Sequence, residues 1–277
     1  MQTFALGEVK ISVINLGDLK FKLKDEFDVK EEEYKQKYYD AFETPKLFPS
    51  QSVLVSSKEL NVLVDAGDYE LFANLDPSYA IQSYSSPPKL LDQLSSIEIS
   101  SNMIDYVIIT HAHLDHFVGS TIKDEKGKYT PTFSNARYLL GKLDYEDSLE
   151  NLRDKNSMES KTLGVLLEKG KLELLEGDRS LSEEIDILQM PGETRGHQVV
   201  KVNSKGQVLY CVGDLFHDSV EVENPSWMAK WNDKTTNLKS REKLISLAIK
   251  ENALVLASHM PLGRIEKTDS GQRFVSV

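Results

Sequence analysis

One short segment constrains the fold of this chain more than any other. The run YVIIT at residues 106–110 is apolar and rich in β-branched residues, which predicts a buried strand, and it leads directly into THAHLDH. Four side chains that can bind a metal therefore occur within six residues, at His111, His113, Asp115 and His116. Side chains two apart in an extended segment point the same way, so the first two can hold one ion. The turn that follows can direct the other two toward a second ion.

The residue types in this segment are those of a metal site. Imidazole and carboxylate are the ligands that borderline divalent ions such as zinc prefer, and α/β proteins place their sites at strand ends. A surface loop that happens to be rich in histidine is the alternative. The chain has only six histidines and three of them lie here, which argues for the metal site.

Three further candidate ligands each follow a predicted strand. His197 ends PGETRGH after the strand EIDILQM, Asp214 closes QVLYCVGD, and His259 follows ALVLAS. A single histidine after a strand is more often a structural residue. Because these side chains occur together with the H-x-H-x-D-H segment, we predict that all three are metal ligands.

The remaining sequence alternates between strands and helices. Runs rich in β-branched residues predict strands at residues 9–15, 19–24, 51–57, 60–67, 136–141, 171–176, 184–190, 198–203, 207–214 and 253–258. Helices are predicted at residues 89–97, 142–152 and 240–252. Residues 25–50 break this rhythm with a charged stretch and two prolines, and we expect a surface excursion there, a helix followed by irregular chain. The alternation predicts an α/β fold, with one domain over residues 1–277.

Composition and charge exclude several classes of protein. Apolar residues make up 40% and charged residues 28%, as in an ordinary globular protein. The formal net charge of −11 repels nucleic acid and anionic membrane surfaces, so we expect neither as a partner. No signal sequence or membrane-spanning stretch is visible, and the single cysteine, Cys211, lies in the apolar run VLYCV. We therefore predict a cytoplasmic protein with a buried structural thiol.

The ordered motifs of the chain resemble those of the metallo-β-lactamase superfamily. They are NVLVDAG, THAHLDH, PGETRGH, YCVGD and ASH, and they run from residue 61 to residue 259. The resemblance implies an α/β fold of four layers, the αββα sandwich. It also implies two divalent metal ions as cofactors, with Zn²⁺ expected and manganese, iron or cobalt as alternatives.

The resemblance also implies how the ligands divide between the two ions. The ligands of one ion match His111, His113 and His197. The ligands of the other match Asp115, His116 and His259. The carboxylate that bridges the pair matches Asp214.

For five other residues the sequence leaves alternatives open or predicts a role outside metal binding. Asp65, by similarity, orients a ligand histidine, or else is a turn residue at a strand end. Glu193 stands where the third motif usually has a histidine that is not normally a ligand, which affects substrate or outer contacts rather than metal binding. His217 in GDLFHDS either reaches the rim of the site or packs as a structural residue. Trp227 and Trp231 could line a pocket, but their spacing also fits one helix facing the core, which we favour.

The expected activity is hydrolysis by a hydroxide that bridges the two ions. Two divalent ions lower the pKa of a bridging water and stabilise both the attacking and the leaving oxygen. Asp115 and Asp214 are the expected catalytic residues, because the first can carry a proton to the leaving group and the second bridges the ions.

Several features favour the compact lactonase and organophosphate-hydrolase branch of the superfamily. The chain has Asp214 where secreted lactamases commonly have a cysteine, and its acidic charge argues against RNA-processing relatives. Only 18 residues follow His259, which argues against relatives with a C-terminal extension. We expect a small lactone or ester as substrate, including N-acyl homoserine lactones. The alternatives are an organophosphate, phosphoester or thioester hydrolase of the same fold and, from another class, a noncatalytic metal-binding module.

Overall fold

The computed structural model describes residues 1–67, 87–269 and 271–277. Within these ranges the strands form two sheets of seven strands and one sheet of two. The first large sheet contains, in spatial order, β1 (Gln2–Leu6), β2 (Val9–Phe21), β3 (Lys46–Ser56), β4 (Asn61–Val64), β5 (Tyr106–Ile108), β8 (Arg137–Gly141) and β9 (Leu172–Leu175). The second contains β10 (Arg179–Ser180), β11 (Ile185–Gln189), β12 (Gln198–Ser204), β13 (Gln207–Cys211), β14 (Leu254–Leu256), β15 (Gly263–Thr268) and β16 (Gly271–Ser276). The small sheet pairs β6 (Thr121–Lys123) with β7 (Tyr129–Pro131).

Most of the helices are short. The α-helices of the described ranges are Leu23–Glu26, Glu31–Tyr34, Tyr39–Glu43, Leu90–Ser96, Leu114–Phe117, Lys142–Asp147, Leu149–Arg153, Val165–Glu168, Ser219–Glu223 and Lys234–Lys250. Two 3₁₀ turns, Ser101–Met103 and Val118–Ser120, and a π-helical turn, Ser160–Gly164, complete the set. Among the described residues, no helix combines the length and the apolar character that crossing a membrane requires.

Alternation of side chains along the strands produces the layers. In β4, Val62 belongs to the core between the two large sheets, whereas its neighbour Leu63 belongs to the core beneath the helices of the first sheet. In β13, Cys211 lies between the sheets, and Tyr210 packs in the core beneath the helix Lys234–Lys250. Strands buried on both faces must be apolar throughout, which explains their nearly unbroken apolar sequences. The predicted four-layer αββα sandwich is confirmed.

Strand direction brings the candidate ligands to one edge of each sheet. β4 and β5 are parallel, and so are β13 and β14. β11 runs in the same direction as β13 because both are antiparallel to β12. The motifs lie in the loops that follow these strands. In the first sheet these are the loops after β4 and β5, and in the second sheet the loops after β11, β13 and β14, so in each sheet they leave from the same edge.

The N-terminal region differs from the predicted one. The strands predicted at residues 9–15 and 19–24 form one strand, β2, with a bulge between Asn15 and Gly17. β3 begins at Lys46 rather than at residue 51, because it continues to pair with β2 as far as Phe21. Pro49 is tolerated there since β4 pairs only with the end of β3, beyond the proline, so its missing N–H interrupts no bond to β4. The excursion between these strands contains three short helices.

Two predicted helices also have different bounds. The helix predicted at 142–152 is two helices, Lys142–Asp147 and Leu149–Arg153. The helix predicted at 240–252 begins earlier, at Lys234. Its start is set by Asp233, whose carboxylate accepts a hydrogen bond of 2.8 Å from the backbone N–H of Thr236.

Candidate metal centre

Six of the seven predicted ligands meet in two adjoining groups of side chains. In each group the possible ligand atoms lie within 4.8 Å of one another. The first group is His111, His113, Glu193 and Asp214. The second group is Asp115, His116, Asp214 and His259. Each group combines residues from the first sheet with residues from the second, so the centre forms only where the two sheets meet.

Asp214 belongs to both groups. Its Oδ2 lies 3.2 Å from Nε2 of His116, 3.2 Å from Nε2 of His259 and 3.7 Å from Nε2 of His111. Its other oxygen, Oδ1, is buried and has no hydrogen-bond partner among the described residues. A carboxylate in this position has two oxygens available to two neighbouring ions, as a bridging ligand requires.

The histidines are held so that one nitrogen of each ring faces the centre. Nδ1 of His111 lies 3.1 Å from the hydroxyl of Thr110, and Nδ1 of His259 lies 2.8 Å from the carbonyl oxygen of Pro49. Nδ1 of His116 lies 2.9 Å from a carboxylate oxygen of Asp65. These acceptors favour a proton on Nδ1, which leaves the lone pair of Nε2 free to bind a metal.

Among the described residues, the inward nitrogens of two histidines have either another imidazole or no protein group as a hydrogen-bond partner. Nε2 of His111 lies 2.9 Å from Nδ1 of His113, and the buried Nε2 of His116 has no hydrogen-bond partner in the described chain. Buried polar atoms are rarely left unpaired, because each costs free energy. Divalent ions on these atoms would satisfy them, so the residues present fit a two-ion centre.

The electrostatics of the centre also suit metal binding. Burial lowers the pKa of His111 well below its usual range. Burial also lowers the pKa of His116, but the neighbouring carboxylates, Asp115 first, raise it by more, so that it lies well above the usual value. Burial raises the pKa of Asp214, but the imidazoles of His116 and His259 lower it by more, so that it lies well below its usual range. The carboxylates thus favour positive charge at this position, and divalent ions that bind here would displace the protons.

The predicted contact of Asp65 with one of the candidate ligand histidines is present. Its carboxylate accepts the bond from His116 and two bonds from Thr110, one from the backbone N–H at 2.7 Å and one from the hydroxyl at 2.9 Å. Since the same hydroxyl contacts His111, Asp65 supports one histidine of each group. Gly67 allows the two loops to approach, because a Cβ at that position would collide with the carbonyl oxygen of Asp115.

A cleft of about 330 Å³ opens onto these groups. One part of its lining consists of polar side chains from the centre, and the other part is largely apolar. The residues that line it are Leu19, Phe21, Glu26, His113, Leu114, Asp115, Asp214, His217, Trp231 and His259. A small molecule in this cleft would therefore contact both the candidate ligands and an apolar wall.

Comparison with known proteins shows the family of this chain. The model of the metallo-beta-lactamase superfamily matches residues 45–259, most of the chain. The chain belongs to this superfamily. It is accordingly a metal-dependent hydrolase, and the family and enzyme class predicted from the motifs are confirmed.

Individual members of the superfamily are similar to this chain over most of their length. An N-acyl homoserine lactonase from Bacillus sp is 22% identical over 227 residues, which cover 76% of this chain and 81% of that protein. The crystal structure of hydrolase AbOPH in the beta lactamase superfamily has a TM-score of 0.79 and 17% identity, and the match covers 99% of this chain and 96% of that one. The dizinc quorum-quenching lactonase AidC, in complex with a product, has a TM-score of 0.77 and 21% identity, over 100% of this chain and 97% of that one. At these identities the two structures show a shared fold.

One predicted ligand of the superfamily pattern, His197, lies beside the first group but not within it. Its Nδ1 is 3.0 Å from the carbonyl oxygen of Met190, and its Nε2 is 3.3 Å from the backbone nitrogen of Asp214. Burial lowers its pKa to about 4, so the imidazole is neutral. Its ring centroid lies 5.2 Å from that of His111. Its role as a metal ligand remains a prediction.

The superfamily motifs do not include Asp144, which the sequence analysis missed. This buried carboxylate accepts hydrogen bonds from the backbone N–H groups of Ala112 at 2.9 Å and Gly196 at 2.5 Å, and from the hydroxyl of Thr194 at 2.8 Å. It therefore joins the loop that carries the H-x-H-x-D-H motif to the loop of PGETRGH. The only sequence signal was an acidic residue near the start of the helix predicted at 142–152, which does not reveal such contacts.

The two tryptophans have different environments. Trp227 is buried against Phe42, with ring centroids 5.6 Å apart, as a core residue should be. The core interpretation is wrong for Trp231, which is 48% exposed and lines the cleft. The two residues do not lie on a helix, so their spacing of four does not place them on one face.

His217 also lines the cleft. The residue is buried, and both of its ring nitrogens lack a hydrogen-bond partner among the described residues. Nε2 lies 3.5 Å from Oδ2 of Asp214 and 3.8 Å from Oε1 of Glu193. Of the two expectations for this residue, the structure supports a position beside the site.

Proposed function

We propose that the protein hydrolyses lactones and carboxylic esters with two bound divalent ions, and that N-acyl homoserine lactones are among its substrates. The observation that carries the proposal is the position of Asp214, shared by two groups of metal-binding side chains at the base of a partly apolar cleft. The names of the lactonase relatives support the substrate class. Zn²⁺ is the expected ion, with manganese, iron or cobalt as alternatives.

Two sets of four side chains, which share Asp214, would hold the two ions. The first ion would be held by His111, His113, His197 and Asp214. The second would be held by Asp115, His116, His259 and Asp214. When bound, two such ions would activate water as the nucleophile and polarise the reacting oxygen of the substrate.

Two side chains in the cleft would transfer a proton and orient the substrate. Asp115 lines the cleft, and its Oδ2 lies 3.3 Å from Nε2 of both His116 and His259. Its carboxylate can carry a proton to the departing alkoxide oxygen, which must be protonated when a lactone ring opens. His217 has a ring nitrogen without a partner in the cleft lining and can donate a hydrogen bond to a substrate oxygen.

The apolar wall supports an acylated substrate. Leu19, Phe21, Leu114 and Trp231 line the cleft beside the polar groups. An alkyl chain on this wall would be removed from water, which stabilises binding by about 0.8 kcal/mol for each buried methylene. A substrate with a long acyl chain should therefore bind more tightly than one with a short chain.

A panel of substrates tests the proposal on protein loaded with two ions. We expect kcat/KM for a long-chain N-acyl homoserine lactone to exceed kcat/KM for a penicillin, and Asp115→Asn to lower kcat on the lactone. Faster penicillin turnover would contradict the substrate class. A phosphotriester or thioester as the best substrate would favour the alternative hydrolase activities. No turnover of any ester, lactone, thioester or phosphoester would favour a noncatalytic metal-binding module.

Isotope labelling tests the nucleophile. In water labelled with oxygen-18, direct attack by water places the label in the product carboxylate during the first turnover. Attack by a protein carboxylate instead can deliver an unlabelled oxygen from the side chain. Unlabelled product in a single turnover, or a trapped acyl-enzyme, would contradict the mechanism.

A cytoplasmic location belongs to the same proposal. It is supported by the single buried cysteine, which has no cysteine partner in the chain. Immunodetection in separated cell fractions tests it, and recovery of the protein outside the cytoplasmic fraction would contradict it.

A further inference from the structure

Glu193 is a buried carboxylate within the first group of metal-binding side chains. Its side chain has no exposed surface, and Oε1 lies 3.4 Å from Nδ1 of His113. It shares with His111, His113 and Asp214 a set of ligand atoms that all lie within 4.8 Å of one another. The loop between β11 and β12 carries it, four residues before His197.

Two hydrogen-bond donors and two imidazoles surround this carboxylate. Oε1 accepts a hydrogen bond of 2.5 Å from the indole N–H of Trp231, and Oε2 accepts one from the side-chain amide of Asn232. Its ion-pair neighbours among the described residues are the imidazoles of His113 and His217, with no lysine or arginine. A buried carboxylate is stabilised by positive charge nearby, and a divalent ion beside His113 would supply more of it than the two imidazoles do.

Glu193 gives the first group a further possible donor to a metal ion. The first group has three candidate ligands without Glu193, and a catalytic zinc ion, which usually has three protein ligands and one position for water or substrate, can expand to five ligands. His197, which the proposed function also assigns to this ion, has its Nε2 3.3 Å from the backbone nitrogen of Asp214, so Glu193 would add to that ligand rather than replace it. Each carboxylate oxygen of Glu193 has two lone pairs and accepts one hydrogen bond from the described side chains, so a lone pair on each oxygen remains for a metal ion.

We propose that Glu193 is a ligand of the ion bound by His111, His113 and Asp214. The proposal rests on the proposed function only in that metal ions occupy this centre. A third carboxylate, beside Asp115 and Asp214, makes the centre richer in oxygen ligands. Carboxylates suit Mn²⁺, whereas imidazoles suit ions such as Zn²⁺. We therefore expect Glu193 to contribute more to Mn²⁺ affinity than a histidine at this position would.

Metal titration of matched variants tests the assignment. Glu193→Gln removes the charge but keeps the shape and an oxygen that can accept the bond from Trp231. Trp231→Phe removes the indole donor and keeps the carboxylate. Loss of an outer hydrogen-bond partner typically costs about 10-fold to 100-fold in metal affinity, and loss of a ligand should cost more. We expect Glu193→Gln to lower the affinity for one of the two Zn²⁺ ions by more than about 100-fold, and Trp231→Phe to lower it by less.

Competition with a chromophoric chelator measures these affinities without reference to activity. The visible absorption of the Co²⁺-loaded protein gives a second measure, because it changes when an oxygen ligand is lost. Equal weakening by both variants, or wild-type affinity and an unchanged Co²⁺ spectrum in Glu193→Gln, would overturn the proposal. Circular dichroism establishes that each variant is folded.

A direct measurement covers the case in which Glu193→Gln does not fold. In crystals of the wild-type protein soaked with Zn²⁺, anomalous scattering locates the ions. An oxygen of Glu193 at about 2.0–2.2 Å from one ion supports the proposal, and a separation of more than about 3 Å overturns it. Binding through Glu193 by a protein that hydrolyses no substrate of the panel would contradict only the proposed function.

Discussion

At the scale of single residues, Asp65 and Asp214 differ in what their carboxylates touch. Asp214 faces Nε2 of three histidines and belongs to both groups of candidate ligands. Asp65 instead accepts hydrogen bonds from Thr110 and from the outer nitrogen of His116. Loss of the first should therefore remove a shared ligand, whereas loss of the second should loosen the orientation of ligands that remain.

Substitution of the two aspartates should separate these roles. We expect Asp214→Ala to lose nearly all bound metal on dialysis against a weak chelator. Asp65→Asn should keep two sites with affinities lowered by about 10-fold to 100-fold. Elemental analysis of the dialysed proteins measures the difference, and equal metal loss from both variants would contradict the assignment.

Cys211 is a core residue rather than a reactive thiol. It lies between the two sheets, and burial raises the pKa of its thiol well above the usual range. We expect Cys211→Ser to keep most of the activity but to lower the free energy of unfolding by about 1–3 kcal/mol, because the hydroxyl is buried. Cys211→Ala, which buries no hydroxyl, is the control. The folded wild-type protein should not react with a thiol reagent, and rapid modification or a large loss of kcat in the serine variant would refute this role.

At the scale of elements, a buried ion pair joins two helices to the loop that carries Asp214. Arg241, in the helix Lys234–Lys250, and Glu221, in the helix Ser219–Glu223, are both fully buried and 2.5 Å apart. Arg241 also donates to the carbonyl oxygen of Leu215 at 2.8 Å, and Glu221 accepts from the backbone N–H of His217. The pair thus holds the backbone on either side of residue 216.

Breaking this pair should destabilise the protein and disturb the metal centre. Arg241→Met leaves the carboxylate of Glu221 buried without its guanidinium partner, which should cost about 3–5 kcal/mol of unfolding free energy in urea denaturation. The double variant with Glu221→Gln should recover part of that loss, since the uncompensated charge is gone. It should not recover full metal affinity, because the bond to Leu215 is still missing.

The surface pair Lys58 and Glu8 provides a matched control. Its nitrogen and oxygen are 2.9 Å apart, but the lysine side chain is 79% exposed. Lys58→Met should leave the unfolding midpoint unchanged, because solvent screens such pairs. A loss from Arg241→Met no larger than that from Lys58→Met would contradict the structural role of the buried pair.

At the scale of the whole molecule, the candidate ligands connect the two halves of the sandwich. The H-x-H-x-D-H residues follow β5 of the first sheet, whereas Asp214 and His259 follow β13 and β14 of the second. Further contacts cross at the same place, such as the bond between His259 and Pro49. Bound ions would therefore act as links between the sheets as well as catalytic groups.

Removal of metal should lower the stability of the whole fold. A ligand that binds only the folded state stabilises it by about 4 kcal/mol at a concentration 1,000 times its Kd. We expect chelation to lower Tm by several degrees and readdition of Zn²⁺ to restore it, as measured by calorimetry. Asp214→Ala should respond much less to the chelator. An unchanged Tm on complete metal removal would contradict this linkage.

Local sequence was sufficient for much of the fold and for most of the candidate ligands. Strand ends, turns and the two-residue spacing of His111 and His113 depend on neighbours in the chain, so the sequence predicts them directly. The apolar runs likewise indicate strands buried on both faces, which the layers of the sandwich confirm. Its motifs also place the chain in its superfamily, because their order along the chain carries that information.

Only the tertiary structure decided which side chains from distant parts of the sequence meet. Glu193 joins the first group although the motif comparison assigned it no metal contact, and His197 turns toward the backbone of Asp214. Asp144 connects two loops through residues about 30 and 50 positions away, and Trp231 reaches the cleft from a segment without helical order. These contacts form when two sheets pack face to face, so they depend on side-chain direction and loop conformation across the interface. The spacing of residues along one strand specifies neither the side-chain directions nor the loop conformations across that interface.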